Sequence, residues 1–371
     1  MGAACLAWGL ALAVAASELP ALLGPWAGRL APLEGPLLLQ PLVLLVATAA
    51  HELGHLLAAW AVGLRVTAWR IGPLVALRSG RGWRLCLVPS LAPGGHVQTG
   101  EVEGGRLRAR HAAMVAGGPA AHLALAALAA TLAALSGQPA PWLTAATLGV
   151  SGAFDLLPLA LGARGRWTDG RWLLAWLLQP DRAAQRVATG VLLAELAAGR
   201  RPREWDHRWA GLAATGCRQP ADGAQVTGCA LAYAWALDRG EVDVAARLIT
   251  RAFAARRRLP ARARPALAAE AAFFVARYRG DARLAARLLE ADPPRTSSRL
   301  EASRERAGAA IHLAAGRPAE ALAACDRALR ALDRRGPLAS RSVAGRELLE
   351  AMRAEAGGAL AGAPPAARAA I

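Results

Sequence analysis

The chain has 371 residues, 55% of them hydrophobic, and a formal net charge of +17. It is too apolar on average for one soluble domain and too charged for a protein embedded in a membrane throughout, so the two characters must separate along the sequence. The basic excess does not point to nucleic acid. Lys and Asn are absent while Ala, Arg, Gly and Pro abound, as in a high-GC bacterium that avoids A-rich codons, so no specific nucleic-acid partner is expected.

Residues 1–64 carry one Arg and three Glu, residues 65–179 eleven Arg against four acids, and residues 180–371 thirty-two Arg against twenty acids. Spanning a bilayer takes about 20 apolar residues. Four segments qualify, at 2–23, 37–64, 111–135 and 142–163. The first lacks the basic start of a signal peptide and reads as a retained transmembrane helix within residues 1–30. Between the second and third lie Arg65, Arg70, Arg78, Arg81, Arg84, Arg106, Arg108 and Arg110. The positive-inside rule therefore places 65–110, and everything after 164, on the cytoplasmic side of the cell membrane, with the chain crossing the lipid bilayer several times.

The connection 65–110 alternates, is rich in β-branched and aromatic residues, and is broken at Gly72-Pro73 and around Gly80. It reads as two or three short strands at the membrane surface. The paired glycines Gly94-Gly95 that follow allow another backbone to approach closely. The stretch 172–178 is too short to span and reads as a re-entrant or interfacial helix. From 180 onward the pattern is of soluble Ala/Leu/Arg-rich helices. Gly240, Gly280 and Gly316, spaced 40 and 36 residues apart, each precede a small residue by five positions. That spacing is near the tetratricopeptide period and suggests a helical-hairpin (TPR-like) domain over 180–355, whose groove would take a protein partner. Residues 356–371 read as a disordered tail. The five cysteines show no CxxC pair, and free thiols are expected. The fold class is thus mainly α: a polytopic membrane core over 31–179 with a small β-rich insertion, followed by a soluble helical domain.

His51-Glu52-Leu53-Gly54-His55 lies inside the apolar run 36–64, whose only ionisable side chains are those of the motif. A helix puts residues i and i+4 on one face, so His51 and His55 can offer imidazole nitrogens to one metal ion. Glu52, one step round, is placed to take a proton from water at that metal. A carboxylate in a membrane helix costs several kcal/mol and is rarely there without a partner or a task. Catalytic zinc sites usually hold three protein ligands. The third would come from another membrane segment, where His111, His122, Asp155 and Asp169 are available.

These elements resemble the site-2 proteases, intramembrane zinc metalloproteases (the M50 type) with HExxH in one transmembrane helix and, later, N-x-x-P followed by D-G. Asp155-Leu156-Leu157-Pro158 resembles the first of the later elements, and Asp169-Gly170 the second. Gly117-Gly118-Pro119-Ala120-Ala121-His122 is similar to the family's A-G-P-x-x-N, and Pro93-Gly94-Gly95-His96-Val97 to its P-x-G-G-Y-V loop. The resemblance covers 36–175. It implies one Zn2+ per chain held by His51, His55 and Asp169, with Glu52 as general base. It also implies substrate contacts at Gly94, Gly95, His96, Gly118, Pro119, His122, Asp155 and Pro158. The substrate would be a transmembrane protein, unwound and added to the 65–97 strands, and the outcome regulated intramembrane proteolysis. Two departures stand out, since His122 and Asp155 occupy positions where the family has asparagine. They keep open a second reading, a non-catalytic membrane scaffold that binds its partner through the C-terminal domain.

Overall fold

A computed structural model describes residues 40–79, 82–87, 95–99, 106–161, 166–292, 298–334 and 343–361. The expected first transmembrane helix and Gly94 lie outside them. The described chain is mainly helical, with one small antiparallel sheet, and divides into two compact units, 1–183 and 184–371.

The first unit begins with α1 (Gln40–Ala61). Its end is a Schellman turn at Gly63, φ +71°: Gly63 N–H bonds Trp60 O at 3.0 Å, and Leu64 N–H bonds Ala59 O at 2.8 Å. Leu64 then packs on Leu56 and Ala59 and turns the chain into the sheet. Strands β1 (Val66–Ile71), β2 (Leu74–Ser79), β3 (Gly82–Leu87) and β4 (Gly95–Thr99) pair antiparallel in the order β3-β2-β1-β4. The sheet has four strands where two or three were expected, the fourth being β4. In the fold Gly95 pairs with Ile71 and begins the strand. Both β1 and β4 pack against α1.

Helices α2 (Leu107–Ser136) and α3 (Pro139–Leu156) follow, then the two-residue strands β5 (Ala160–Leu161) and β6 (Arg166–Trp167), and α4 (Asp169–Leu178). Helix α2 packs against α1, α3 and α4. Where α1 and α2 cross, a Cβ on Gly54 would lie 2.3 Å from Gly117 O, and one on Gly117 2.5 Å from Gly54 O, so only paired glycines permit this contact. Among the described residues two helices, α1 over Leu42–Ala61 and α2, are long and apolar enough to cross a membrane. The span expected over 142–163 ends early. Leu157 precedes a proline and is extended, at ψ 135°, so α3 stops at Leu156.

The second unit, after α5 (Pro180–Ala197), contains α6 (His207–Thr215) and three helical hairpins. These are α7 (Gly223–Asp238) with α8 (Val242–Ala254), α9 (Arg264–Arg279) with α10 (Ala282–Glu290), and α11 (Ser298–Ala314) with α12 (Pro318–Asp333). Gly240, Gly280 and Gly316 end the first helix of each hairpin at φ +78°, +67° and +69°. The small residues five positions on, Ala245, Ala285 and Ala321, are fully buried. Helix α13 (Val343–Ala361) overturns part of the expected tail. Ala356 packs in the core, and that burial carries the helix through Gly357-Gly358. The expectation of free thiols also fails at one pair. Cys217, after α6, and Cys229, on α7, come together at a Cα separation of 5.5 Å and form a disulfide. A spacing of 12 residues carries no signature of that pairing. Cys86 and Cys325 are free thiols.

Candidate metal centre

His51 and His55 occupy successive turns of one face of α1, with their rings edge to face at 4.6 Å. Their Nε2 atoms are 3.0 Å apart. Asp169 Oδ2 joins them from α4, 3.0 Å from His51 Nε2 and 3.3 Å from His55 Nε2. The N-cap of α4 is the residue before Asp169. Thr168 is the cap, accepting from Arg171 N–H at 3.4 Å, while its hydroxyl donates to Leu157 O and accepts from Leu159 N–H at 3.0 Å. The carboxylate at the next position is thereby released to face the histidines. A Cβ on Gly170 would lie 1.8 Å from Leu156 O, so α4 starts hard against the end of α3 only because this residue is glycine.

The far nitrogens of both rings also face oxygen atoms. His55 Nδ1 lies 2.8 Å from Met114 O on α2, where it donates its proton. His51 Nδ1 faces Asp155 Oδ2 of α3 at 3.3 Å. With the protons on the Nδ1 side, both Nε2 atoms and the carboxylate oxygen present lone pairs to one another at 3.0–3.3 Å. Such an arrangement is repulsive unless a cation joins it, and two imidazoles with one carboxylate suit zinc. Gly118 completes the cradle. A Cβ there would stand 2.5 Å from His55 Nε2 and 2.7 Å from His51 Nε2. The two adjacent glycines divide the tasks: Gly117 takes the helix crossing, Gly118 clears the site.

Glu52 is buried on the sheet side of α1, opposite Gly95. A backbone hydrogen bond runs from Gly95 to its carboxylate. A Cβ on Gly95 would meet Glu52 Cδ at 2.3 Å and Arg70 O at 2.2 Å. The other carboxylate oxygen, Oε2, is buried with no hydrogen-bond partner among the described residues. One oxygen of Glu52 is thus held and the other is left to act.

Of the remaining sequence-derived residues, Pro119 is buried in α2 next to the cradle, His96 is exposed on β4, and Pro158 is exposed in the bend after α3. His122 is buried, with Nε2 bonded to Ala47 O at 3.0 Å and Nδ1 3.3 Å from Asp155 Oδ2. His51, His122 and Asp155 form a second cluster of metal-ligating side chains that shares His51 with the first. His111 stacks on Trp176 at 5.6 Å and belongs to neither cluster. Met114 and Thr168 carry no chemical signature in the sequence, yet they set the positions of His55 and Asp169.

No curated protein and no solved structure matches the chain. Residues 40–324 match the family model described as peptidase family M50, the site-2 proteases, which are membrane-embedded zinc metalloproteases. With most of its length matched, and with the HExxH helix inside the matched stretch, the chain belongs to peptidase family M50.

Proposed function

We propose that this protein is an intramembrane zinc endopeptidase that hydrolyses peptide bonds in or near the transmembrane segments of other membrane proteins, in regulated intramembrane proteolysis. The observation that carries this reading is the convergence of His51, His55 and Asp169 within 3.3 Å, with Glu52 Oε2 unclaimed on the same helix. Family membership supports the same chemistry.

Zinc bound there would supply Lewis acidity, acidifying water and polarising a carbonyl. Glu52 then takes the proton of the attacking water and delivers it to the leaving amine. Gly95 N–H fixes the Glu52 carboxylate during both transfers. The sheet supports the substrate's conformation. A transmembrane helix buries its carbonyls in internal hydrogen bonds, so it must unwind before attack. Strand β4 lies at the end of the sheet and carries Gly95 against Glu52. A segment added beside β4 has its backbone groups satisfied while it passes the base.

The exteriors of α1 and α2 fit a lipid surround. Leu42, Leu45, Val46, Leu53, Leu57 and Trp60 on α1, and Leu123, Leu128, Leu132 and Leu135 on α2, are all exposed. We place the chain in the cell membrane with several crossings, the sheet and the helical hairpins on the cytoplasmic side, and a protein partner on the second unit. Zinc content of the detergent-purified protein tests the reading. About one zinc per chain, lost in Asp169→Ala and in His55→Ala, is expected. A Glu52→Gln trap would then retain uncut membrane-protein substrates. A folded wild type without zinc refutes it and leaves the scaffold.

A further inference from the structure

We infer that His122 and Asp155 form a positioning clamp for the metal ligand His51, an inference that rests on the zinc site proposed above. The two histidines of α1 are anchored differently. His55 holds its Nδ1 proton against a backbone oxygen, Met114 O, at 2.8 Å. Among the described residues His51 Nδ1 has no hydrogen-bond partner, and it faces Asp155 Oδ2 at 3.3 Å in an electrostatic contact. The same carboxylate oxygen lies 3.3 Å from His122 Nδ1. On its other side His122 Nε2 donates to Ala47 O at 3.0 Å. Ala47 lies four residues before His51, one turn back on α1. The contacts therefore close a circuit: α1 at Ala47, α2 at His122, α3 at Asp155, and α1 again at His51. The His51 and His122 rings approach to 4.7 Å around the shared oxygen.

A carboxylate on the far nitrogen of a zinc-bound histidine fixes its tautomer and ring orientation and raises its basicity, and removing such a partner costs about 10–100-fold in metal affinity. Here the carboxylate is itself held. His122 has an oxygen facing each ring nitrogen, and its bond to Ala47 O sets the depth at which Asp155 meets His51. This accounts jointly for the two departures from the family pattern. A histidine and an aspartate replace two neutral amides as a complementary pair, and neither is explained alone. The clamp acts on the metal through His51, so both are positioning residues.

Chelator competition for zinc, with the purified full chain in detergent, tests this. Wild type is compared with Asp155→Ala, His122→Ala, the double variant and Asp155→Asn. Asp155→Ala should weaken zinc binding about 10–100-fold. The double variant should be no weaker than Asp155→Ala alone, because His122 works through Asp155. Asp155→Asn, which retains an accepting oxygen, should recover most of the affinity. The visible spectrum of the Co2+-loaded protein should shift in Asp155→Ala, a change that global destabilisation would not produce. Wild-type affinity in Asp155→Ala, or losses that multiply in the double variant, would overturn the clamp while leaving the zinc protease standing. A second zinc per chain that disappears in His122→Ala would also overturn it, assigning His51, His122 and Asp155 as ligands instead. A wild type without zinc would overturn both proposals, and only that result would do so.

Discussion

Replacing Gly118 by alanine tests the geometry of the metal centre without removing any ligand. The added Cβ would stand 2.5 Å from His55 Nε2, 2.6 Å from His55 Cε1 and 2.7 Å from His51 Nε2. Ordinary contact begins near 3.4 Å, so the ring atoms must retreat by about 0.7–0.9 Å or the helices must part. Retreat is obstructed, because Met114 O holds the far side of His55 and Asp155 the far side of His51. Zinc–ligand distances tolerate about 0.2 Å, so the displacement is several times what coordination allows. We expect at least a 100-fold loss of zinc affinity and of peptidase activity, comparable to the roughly 10²-fold cost of a 1 Å misplacement at a reacting centre. Global stability should fall less, since alanine in a helix interior is worth about 1 kcal/mol over glycine. Gly149→Ala in α3 is the control, because nothing lies within 4 Å of its added Cβ. Zinc titration and cleavage of a model transmembrane substrate in proteoliposomes read both variants. Wild-type zinc affinity in Gly118→Ala would refute the site as described.

Glu52→Gln should leave zinc content unchanged while lowering cleavage by about 10²–10⁴-fold, the usual contribution of a positioned general base; parallel loss of metal would mean that Glu52 is a ligand. Gly240→Ala should destabilise the second unit by about 1–2 kcal/mol, because Gly240 caps α7 at φ +78° with its N–H on Leu237 O and that of Glu241 on Ala236 O. Circular dichroism melting of the full chain reads this, and an unchanged midpoint would dispute the cap. Among the cysteines, burial pushes the Cys325 thiol up to about 11, with Asp326 adding to the shift. Iodoacetamide at pH 8 should therefore modify exposed Cys86 and spare Cys325, and Cys217 and Cys229 should be recovered in one linked peptide under non-reducing digestion. Alkylation of Cys217 without reductant would contradict the pairing.

What the sequence revealed follows the range of the interactions concerned. His51, Glu52 and His55 share one helix, so spacing alone placed them together. Gly240, Gly280 and Gly316 were legible for the same reason, since a left-handed cap is a local demand on one residue. Asp169 was harder. Residues 155, 122, 111 and 169 were equivalent on composition, and the fold separates them by where α3 stops. Leu157-Pro158 ends the helix, Thr168 caps the next one, and Gly170 lets the two ends touch, so the first carboxylate of α4 reaches the histidines. Cys217 and Cys229 were misread because their meeting depends on how α6 and α7 pack, which no spacing rule encodes. The helix through Gly357-Gly358 was missed because burial of Ala356 outweighs local propensity.

The centre shows why a motif of five residues is insufficient by itself. A membrane helix can place two imidazoles four residues apart, but it cannot orient them, since its own backbone groups are committed to the helix. Orientation has to come from neighbours. In this chain α2 yields the Met114 carbonyl to His55. For His51 the equivalent contact is a side chain on α3. A backbone carbonyl cannot be removed by substitution, whereas a side-chain carboxylate can be tuned or lost. Variation in metal affinity among related chains should therefore concentrate at positions 122 and 155, while position 114 tolerates any residue that preserves the helix. An exchange series of Met114→Leu, His122→Ala and Asp155→Ala, assayed for zinc affinity, separates the two kinds of anchor. Sensitivity at 114 equal to that at 155 would show that both histidines depend on side chains.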